Sequence, residues 1–232
     1  MHPLDNANER VNGARENLDA LKPLVADFAQ VVANGVSLNY EEREIIIDGK
    51  RRKVPYGTAR AVLNQPAPLR LSRILGYVIQ DLRTAMEYLI YELTCFDARQ
   101  VVEKTQFPVA DTEEIFDDLL DRYHLRGNLS GDHIAAIERL QPYKGCDWVK
   151  WLIGFSNPDK HKHLTGLRSP VALSIDERNT KAILAGQAVD VNSYASITIA
   201  FSDGTPVIEG LEQLVSQVAQ ILSDFHSQFE RR

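Results

Sequence analysis

The chain has little of what marks a secreted or membrane protein. It has two cysteines in 232 residues, and no apolar run approaches the roughly 20 residues that a spanning helix needs. Its first residues contain no basic segment followed by an apolar one, so the sequence predicts no signal peptide and no membrane partner. Cys95 and Cys146 are therefore predicted to be reduced, buried thiols in a cytoplasmic protein.

Several motifs that would name a reaction are also missing. The sequence contains no glycine-rich phosphate loop, no histidine pair of the zinc-peptidase type and no nucleophile elbow. Its cysteines and histidines do not recur at a spacing typical of a metal site. We therefore expect no metal and no cofactor, and these absences leave open whether the protein is an enzyme.

Charge is unevenly distributed along an acidic chain. The net charge of −6 argues against broad nonspecific binding to nucleic acid. Residues 43–83, however, hold nine basic and three acidic side chains, whereas residues 97–139 hold ten acidic and five basic ones. This pattern favours two solvated faces of unlike charge, and the alternative is a positive patch on an acidic protein.

Apolar residues at helical spacing predict most of the architecture. The clearest stripe, at steps of three and four from about Leu69 to Thr94, predicts a central helix covered on more than one side. Pro23 would kink or break the first helix. The predicted helices span residues 5–33, 69–94, 112–126, 130–140, 147–156 and 209–229.

Two regions with strand patterns interrupt the helices. Asp48-Gly49 lies between apolar and basic runs and predicts a hairpin near 44–54, and residues 56–70 are expected to be mostly loop. Alternating residues near 171–208 predict a short antiparallel meander. The expected fold class is α+β, mainly helical and bundle-like, with one small antiparallel sheet in a single domain over residues 1–232.

The segment Asn157 to Leu164 carries the densest group of ionisable side chains. Asn157-Pro158-Asp159 is typical of a helix start. That role leaves Lys160, His161, Lys162 and His163 unexplained. Free N–H groups at a helix start beside a lysine and a histidine would suit phosphate, so we predict a ligand site here.

A second polar group lies on the predicted central helix. Asp81, Thr84, Tyr88 and Tyr91 follow one another at steps of three and four, and Arg83 and Glu87 form an i, i+4 pair. The simpler hypothesis is an ion pair with tyrosines that hold neighbouring helices. The sharper hypothesis is that Arg83 and Tyr88 meet the 157–164 segment in one polar pocket.

Four segments of the chain resemble an uncharacterised bacterial family. They are the helix with Leu82-Arg83-Thr84-Ala85-Met86-Glu87-Tyr88, the connector Phe107-Pro108-Val109, the turn Gln141-Pro142-Tyr143 and the segment Asp159-Lys160-His161-Lys162. They occur in the same order as in that family, and the resemblance covers most of the chain. It implies a shared fold and carries no established activity.

More remotely, the helix resembles that of the HEPN superfamily, whose members are helical, commonly dimeric and often metal-independent ribonucleases of toxin and defence systems. In their active site an arginine is followed by a histidine. Arg83 matches the arginine, but Tyr88 stands at the histidine position, and tyrosine is a poor base at neutral pH. The resemblance implies catalysis only if His161 supplies the imidazole.

Three hypotheses for function follow. The first is a binding or regulatory protein, a homodimer, with a polar pocket around Arg83, Tyr88, Asn157, Asp159, Lys160 and His161. The second is a HEPN-like ribonuclease or phosphate-transfer enzyme in which His161, Arg83 and Tyr88 are catalytic and RNA or another phosphate-containing ligand binds at Asn157, Asp159, Lys160, Glu87 and His163. The third is that the cluster is purely structural.

Overall fold

The structure, a computed structural model, describes residues 2–34, 36–47, 49–61, 68–154, 171–173, 195–197, 199–201 and 204–230. The chain divides into two compact units. The first contains Met1–Leu21, Arg70–Leu164 and Ile208–Arg232, and the second contains Lys22–Leu69 and Thr165–Val207. In the ranges described, no helix is both long and apolar enough to cross a membrane.

The mainly helical character predicted from the sequence is confirmed. The helices are α1 (Asp5–Asn34), α2 (Leu69–Ala98), α3 (Glu113–Arg122), α4 (Gly131–Glu138), α5 (Val149–Gly154) and α6 (Val207–His226). Short 3-10 turns follow at Pro142–Lys144 and Ser227–Glu230. Pro23 lies inside α1, and the helix continues through it.

Helix α2 is the centre of the first unit. Its stripe of Leu71, Leu75, Val78, Leu82 and Leu89 is fully or almost fully buried, as the spacing predicts. Ring contacts tie both ends of the chain to this unit. Phe229 contacts Phe96 of α2 edge to face, and the ring of His2 stacks on that of His226 in α6.

Local side chains explain where two short helices begin. The Thr112 hydroxyl accepts a hydrogen bond from the Ile115 N–H, and the Ser130 hydroxyl accepts one from the His133 N–H. Both are N-caps, which satisfy backbone donors that have no partner inside the first turn. The sequence therefore predicts the starts of α3 and α4 to within one residue.

The strands belong to the second unit. Strands β1 (Val36–Ile47) and β2 (Lys50–Ala61) pair antiparallel from Ile47 opposite Lys50 to Val36 opposite Ala61. Strands β3 (Val171–Leu173) and β4 (Ala195–Ile197) also pair antiparallel. Gly49, which directly precedes β2, has a φ of 73°, a value at which glycine is far less strained than other residues.

Two predictions about the strands need correction. One small sheet is not supported, because the described strands pair only as separate two-stranded ladders. The expectation of loop over residues 56–70 is also wrong at its start. Strand β2 runs to Ala61, since pairing with β1 outweighs the low strand preference of Pro55 and Gly57. Most of the predicted meander near 171–208, residues 174–194, lies outside the described residues, and its expected last strand is wrong because the chain is helical from Val207.

Candidate functional site

The polar residues of α2 fasten the connector that follows it. Arg83 and Glu87 form an ion pair one helical turn apart, as the sequence predicts. The Arg83 guanidinium donates to the Phe107 carbonyl at 3.0 Å, and the Phe107 N–H donates to a Glu87 carboxylate oxygen at 2.7 Å. One ion pair therefore satisfies both backbone groups of a single buried residue.

Gln141 also holds this connector. Its side chain is fully buried, and its amide oxygen accepts from the Ala110 N–H at 2.9 Å. Its amide nitrogen donates to the carbonyls of Pro108, at 3.1 Å, and Ile137, at 3.0 Å. The segments around Arg83, Phe107 and Gln141, all named in the family resemblance, thus meet in one hydrogen-bonded network.

The ion pair in this network is largely withdrawn from water. The side chains of Arg83 and Glu87 are 14% and 28% exposed. Burial raises the pKa of Glu87, although the nearby Arg83 charge and the Phe107 N–H both act to lower it. For Glu87, the cost of burying its charge therefore outweighs the attraction of Arg83 and the hydrogen bond from Phe107.

Arg83 also has a buried hydrogen-bond donor for which the described part of the chain supplies no acceptor. Its Nη1 atom is buried and has no hydrogen-bond partner within the described part of the chain. A buried donor of a charged group without an acceptor is expensive, and such groups are uncommon in folded proteins. This nitrogen is the one feature of the described network that calls for an acceptor from elsewhere.

A second polar contact joins α2 to α1. The Asp81 carboxylate accepts from Arg10 and from the Asn17 amide, each at 3.1 Å. Gly13 lies against it, and a Cβ atom there would come within 3.3 Å of Asp81 Oδ2. Hydrogen bonds to Tyr88 and to Asp81 raise the pKa of Arg10, so Tyr88 also takes part in this helix contact.

The structure thus gives the described site residues clear partners. Arg83 and Glu87 bind the Phe107 backbone, and Tyr88 contacts Arg10 of α1. These contacts match the simpler hypothesis of an ion pair with a tyrosine that holds a neighbouring helix. Asn157, Asp159, Lys160, His161 and His163 lie outside the described residues, and so does any meeting between them and Arg83.

Sequence reasoning missed a buried histidine–aspartate pair. His133 lies in the first turn of α4, and its Nδ1 lies 2.6 Å from a carboxylate oxygen of Asp97 at the end of α2. The same oxygen accepts from the Ser130 N–H at 2.7 Å. The two residues are 36 positions apart, and no motif connects them. Among the described residues, no three side chains of the metal-binding types converge on one point.

The cysteines are both free and only half-buried, which corrects the expectation that they are buried. Cys146 donates to the Arg139 carbonyl at 3.4 Å, and a hydrogen bond from Tyr91 to Cys95 raises the pKa of Tyr91.

Comparison of the whole chain with models of protein families, with curated proteins and with solved structures finds no match in any of the three.

Proposed function

We propose that this chain is a cytoplasmic binding or regulatory protein whose ligand carries phosphate. Its site would be centred on Arg83 and completed by Asn157, Asp159, Lys160, His161 and His163. The observation that carries the proposal is the buried Nη1 of Arg83, which has no acceptor in the described part of the chain. A phosphate oxygen is a strong acceptor for a guanidinium.

The surroundings of Arg83 favour binding over catalysis. Its Nη2 atom is engaged with both Glu87 and the Phe107 carbonyl, so the group is held in one position. Tyr88, which stands where a HEPN enzyme carries its histidine, is engaged with Arg10. A donor that is already held in place lowers the entropy cost of binding a ligand.

The nearby Glu87 limits which ligand can bind. A carboxylate beside the site repels an anion unless further cations offset it. Lys160 of the 157–164 segment is the cation that the proposal assigns to this role. The proposal therefore requires both Arg83 and Lys160 for affinity.

Calorimetric titration with inorganic phosphate and with a short RNA oligonucleotide tests the site. We expect the wild-type protein to bind at least one of them, and Lys160→Gln and Arg83→Lys each to weaken binding about 10-fold, because a charged hydrogen bond contributes about 1.5–3 kcal/mol. Arg126→Gln, which removes an exposed arginine paired with Asp117 and Asp121, should leave affinity unchanged.

Thermal unfolding of each variant shows whether it remains folded. If Arg83→Lys disturbs the Phe107 connector, Lys160→Gln alone decides the result. Failure of the wild-type protein to bind either probe would refute the proposal. Equal affinity of wild type and Lys160→Gln would remove the 157–164 segment from it.

A metal-independent ribonuclease is the second candidate, and Arg83 at the matching helix position favours it. We would incubate total RNA with the protein without added metal, and repeat the reaction with His161→Ala. Cleavage by the wild type that is lost in the variant would support the enzyme, and intact RNA in both reactions would exclude it. A lower melting temperature for His161→Ala with unchanged phosphate binding would instead indicate a purely structural cluster.

The proposal includes a homodimer, which the resemblance to dimeric helical proteins supports. Light scattering coupled to size exclusion should then give twice the chain mass of 26.1 kDa. The melting temperature should also rise with protein concentration, because dimerisation stabilises the folded state by mass action. A mass of one chain at all concentrations would remove the dimer from the proposal.

A further inference from the structure

The strands of the β1–β2 hairpin are longer than most strands in globular proteins, and the residues next to its turn are basic. Each strand has 12 residues, which corresponds to a length of about 40 Å. In the part of the chain that is described, neither strand pairs with a third one. Among the described residues, the element is thus a two-stranded ribbon.

Its end next to the turn carries a run of cations. Lys50, Arg51, Arg52 and Lys53 are consecutive at the start of β2. Between residues 43 and 54 the chain has five basic and two acidic residues, a local charge of +3 in a protein of net charge −6. Because successive strand residues alternate between faces, positions 50 and 52 share one face and positions 51 and 53 the other.

The side chains described at this tip are open to solvent. The Arg51 side chain is 80% exposed, Lys50 is exposed, and Ile46, which pairs with Arg51, is 72% exposed. The Arg51 guanidinium lies 3.9 Å from the Glu44 carboxylate, which is itself 56% exposed. Such an exposed pair contributes little to stability, so it does not account for the run of cations.

We propose that the tip of the β1–β2 hairpin is a binding arm for duplex DNA. The major groove of B-form DNA admits a two-stranded β-ribbon, and its phosphates line both sides of the groove. A ribbon with cations on both faces matches that distribution of negative charge. The exposed Ile46, which pairs with Arg51, suits apolar contact with base edges.

The charge of the arm also predicts how binding depends on salt. Each phosphate neutralised by a cation contributes a slope of about −0.9 to the logarithm of affinity against the logarithm of salt concentration. Four contacts would therefore weaken binding about 100-fold between roughly 50 and 200 mM salt.

Fluorescence anisotropy with a labelled DNA duplex tests the arm. We expect wild-type protein to bind the duplex with that salt dependence. Lys50→Gln/Arg51→Gln should bind more weakly and lose only about 10-fold over the same salt range, because two contacts remain. The control Arg122→Gln/Arg139→Gln removes the same charge from exposed positions in the first unit and should behave as wild type.

Two further probes fix the class of partner. A duplex RNA of the same sequence should bind more weakly, because the A-form major groove is too narrow and deep for the ribbon. Vesicles of phosphatidylserine and phosphatidylcholine should not bind. If the double variant loses its strand signal in circular dichroism, the single variant Arg51→Glu is used instead. We expect Arg51→Glu to lower the affinity for the DNA duplex.

The proposal is overturned if the wild-type protein does not bind duplex DNA at low salt, or if the arm variants bind as tightly as the control. Binding to vesicles without binding to DNA would overturn it as well, and equal or tighter binding of duplex RNA would overturn the groove assignment. These results are independent of the Arg83 site, since the variants used to test that site keep the arm intact.

Discussion

Gln141 shows how one side chain can fix a stretch of chain that has no regular structure. It satisfies the Ala110 N–H and the Pro108 carbonyl, both on the connector between α2 and α3, and also the Ile137 carbonyl at the end of α4. Its full burial leaves water no role in this arrangement. The connector is therefore held by a residue that follows it by about 30 positions.

The first prediction concerns this residue. Gln141→Leu keeps a similar volume but leaves the buried Ala110 N–H and Pro108 carbonyl without that partner, and it removes one of the donors to the Ile137 carbonyl. We expect the free energy of unfolding to fall by about 3–5 kcal/mol, since each unsatisfied group costs about 1–3 kcal/mol. Urea denaturation measures it, with Gln100→Leu at an exposed position as the control, where a change within about 0.5 kcal/mol is expected. A loss below about 1 kcal/mol would contradict the assigned role.

The second prediction concerns pH and compares two carboxyl groups. Burial raises the pKa of Glu87, whereas hydrogen bonds from Lys144 and Tyr143 lower that of Glu138. A raised pKa gives the folded state a contribution that is present below the ordinary carboxyl pKa and lost as pH rises through the raised value. A lowered pKa gives the opposite: a contribution present above the ordinary pKa and lost as pH falls through the lowered value.

Neutral glutamine variants separate the two effects. Between about pH 3 and about pH 7, the stability of wild type relative to Glu87→Gln should fall as pH rises, and that relative to Glu138→Gln should rise. Urea unfolding at a series of pH values gives both curves. Slopes of the same sign would show that one of the two environments is wrongly assigned.

At the scale of elements, the contact between α1 and α2 depends on a glycine. Gly13 leaves room for the Asp81 carboxylate, which Arg10 and Asn17 hold in place. Gly76 in α2 offers a matched comparison, because a Cβ atom there meets nothing within 4 Å. Both are glycines inside helices, where alanine is intrinsically better by about 1 kcal/mol.

The third prediction follows from that difference. Gly76→Ala should raise the free energy of unfolding by about 1 kcal/mol, the full helix preference. Gly13→Ala should give a clearly smaller gain or a loss, since its Cβ would be 3.3 Å from Asp81 Oδ2 and three held groups would have to move. Thermal or urea unfolding measures the stability of both variants. Equal gains in the free energy of unfolding would mean that Asp81 can move away from the added methyl group at no cost.

At the scale of the whole molecule, helix α1 belongs to both compact units. The boundary falls between Leu21 and Lys22 inside this continuous helix, and the chain passes between the units again at Leu69, Leu164 and Val207. Each unit is therefore built from segments distant in sequence. The expectation of a single domain remains a prediction, and it can be tested by whether the two units unfold together.

The fourth prediction tests it. Helix α1 continues from one unit into the other, so unfolding of either unit should disturb this helix. We therefore expect one cooperative transition in differential scanning calorimetry. The ratio of the calorimetric to the van't Hoff enthalpy should be close to one. Two separate transitions, or a ratio well above one, would indicate two domains that unfold independently.

The sequence by itself determined the helices and their buried faces. Apolar spacing predicted α1, α2 and α6 within a few residues at each end, because a helix is stabilised by contacts three and four residues apart and its core stripe follows that period. The pair of Arg83 and Glu87 was predictable for the same reason. The N-caps at Thr112 and Ser130 are equally local.

Only the tertiary structure decided which distant groups those helices bring together. Arg83 meets Phe107 across 24 positions, Gln141 meets Ala110 across 31, and His133 meets Asp97 across 36. Such pairings have no sequence period, since they depend on how the chain returns after a connector. The extent of β2 was likewise decided by its partner strand, because the ladder outweighs the local preference of proline and glycine.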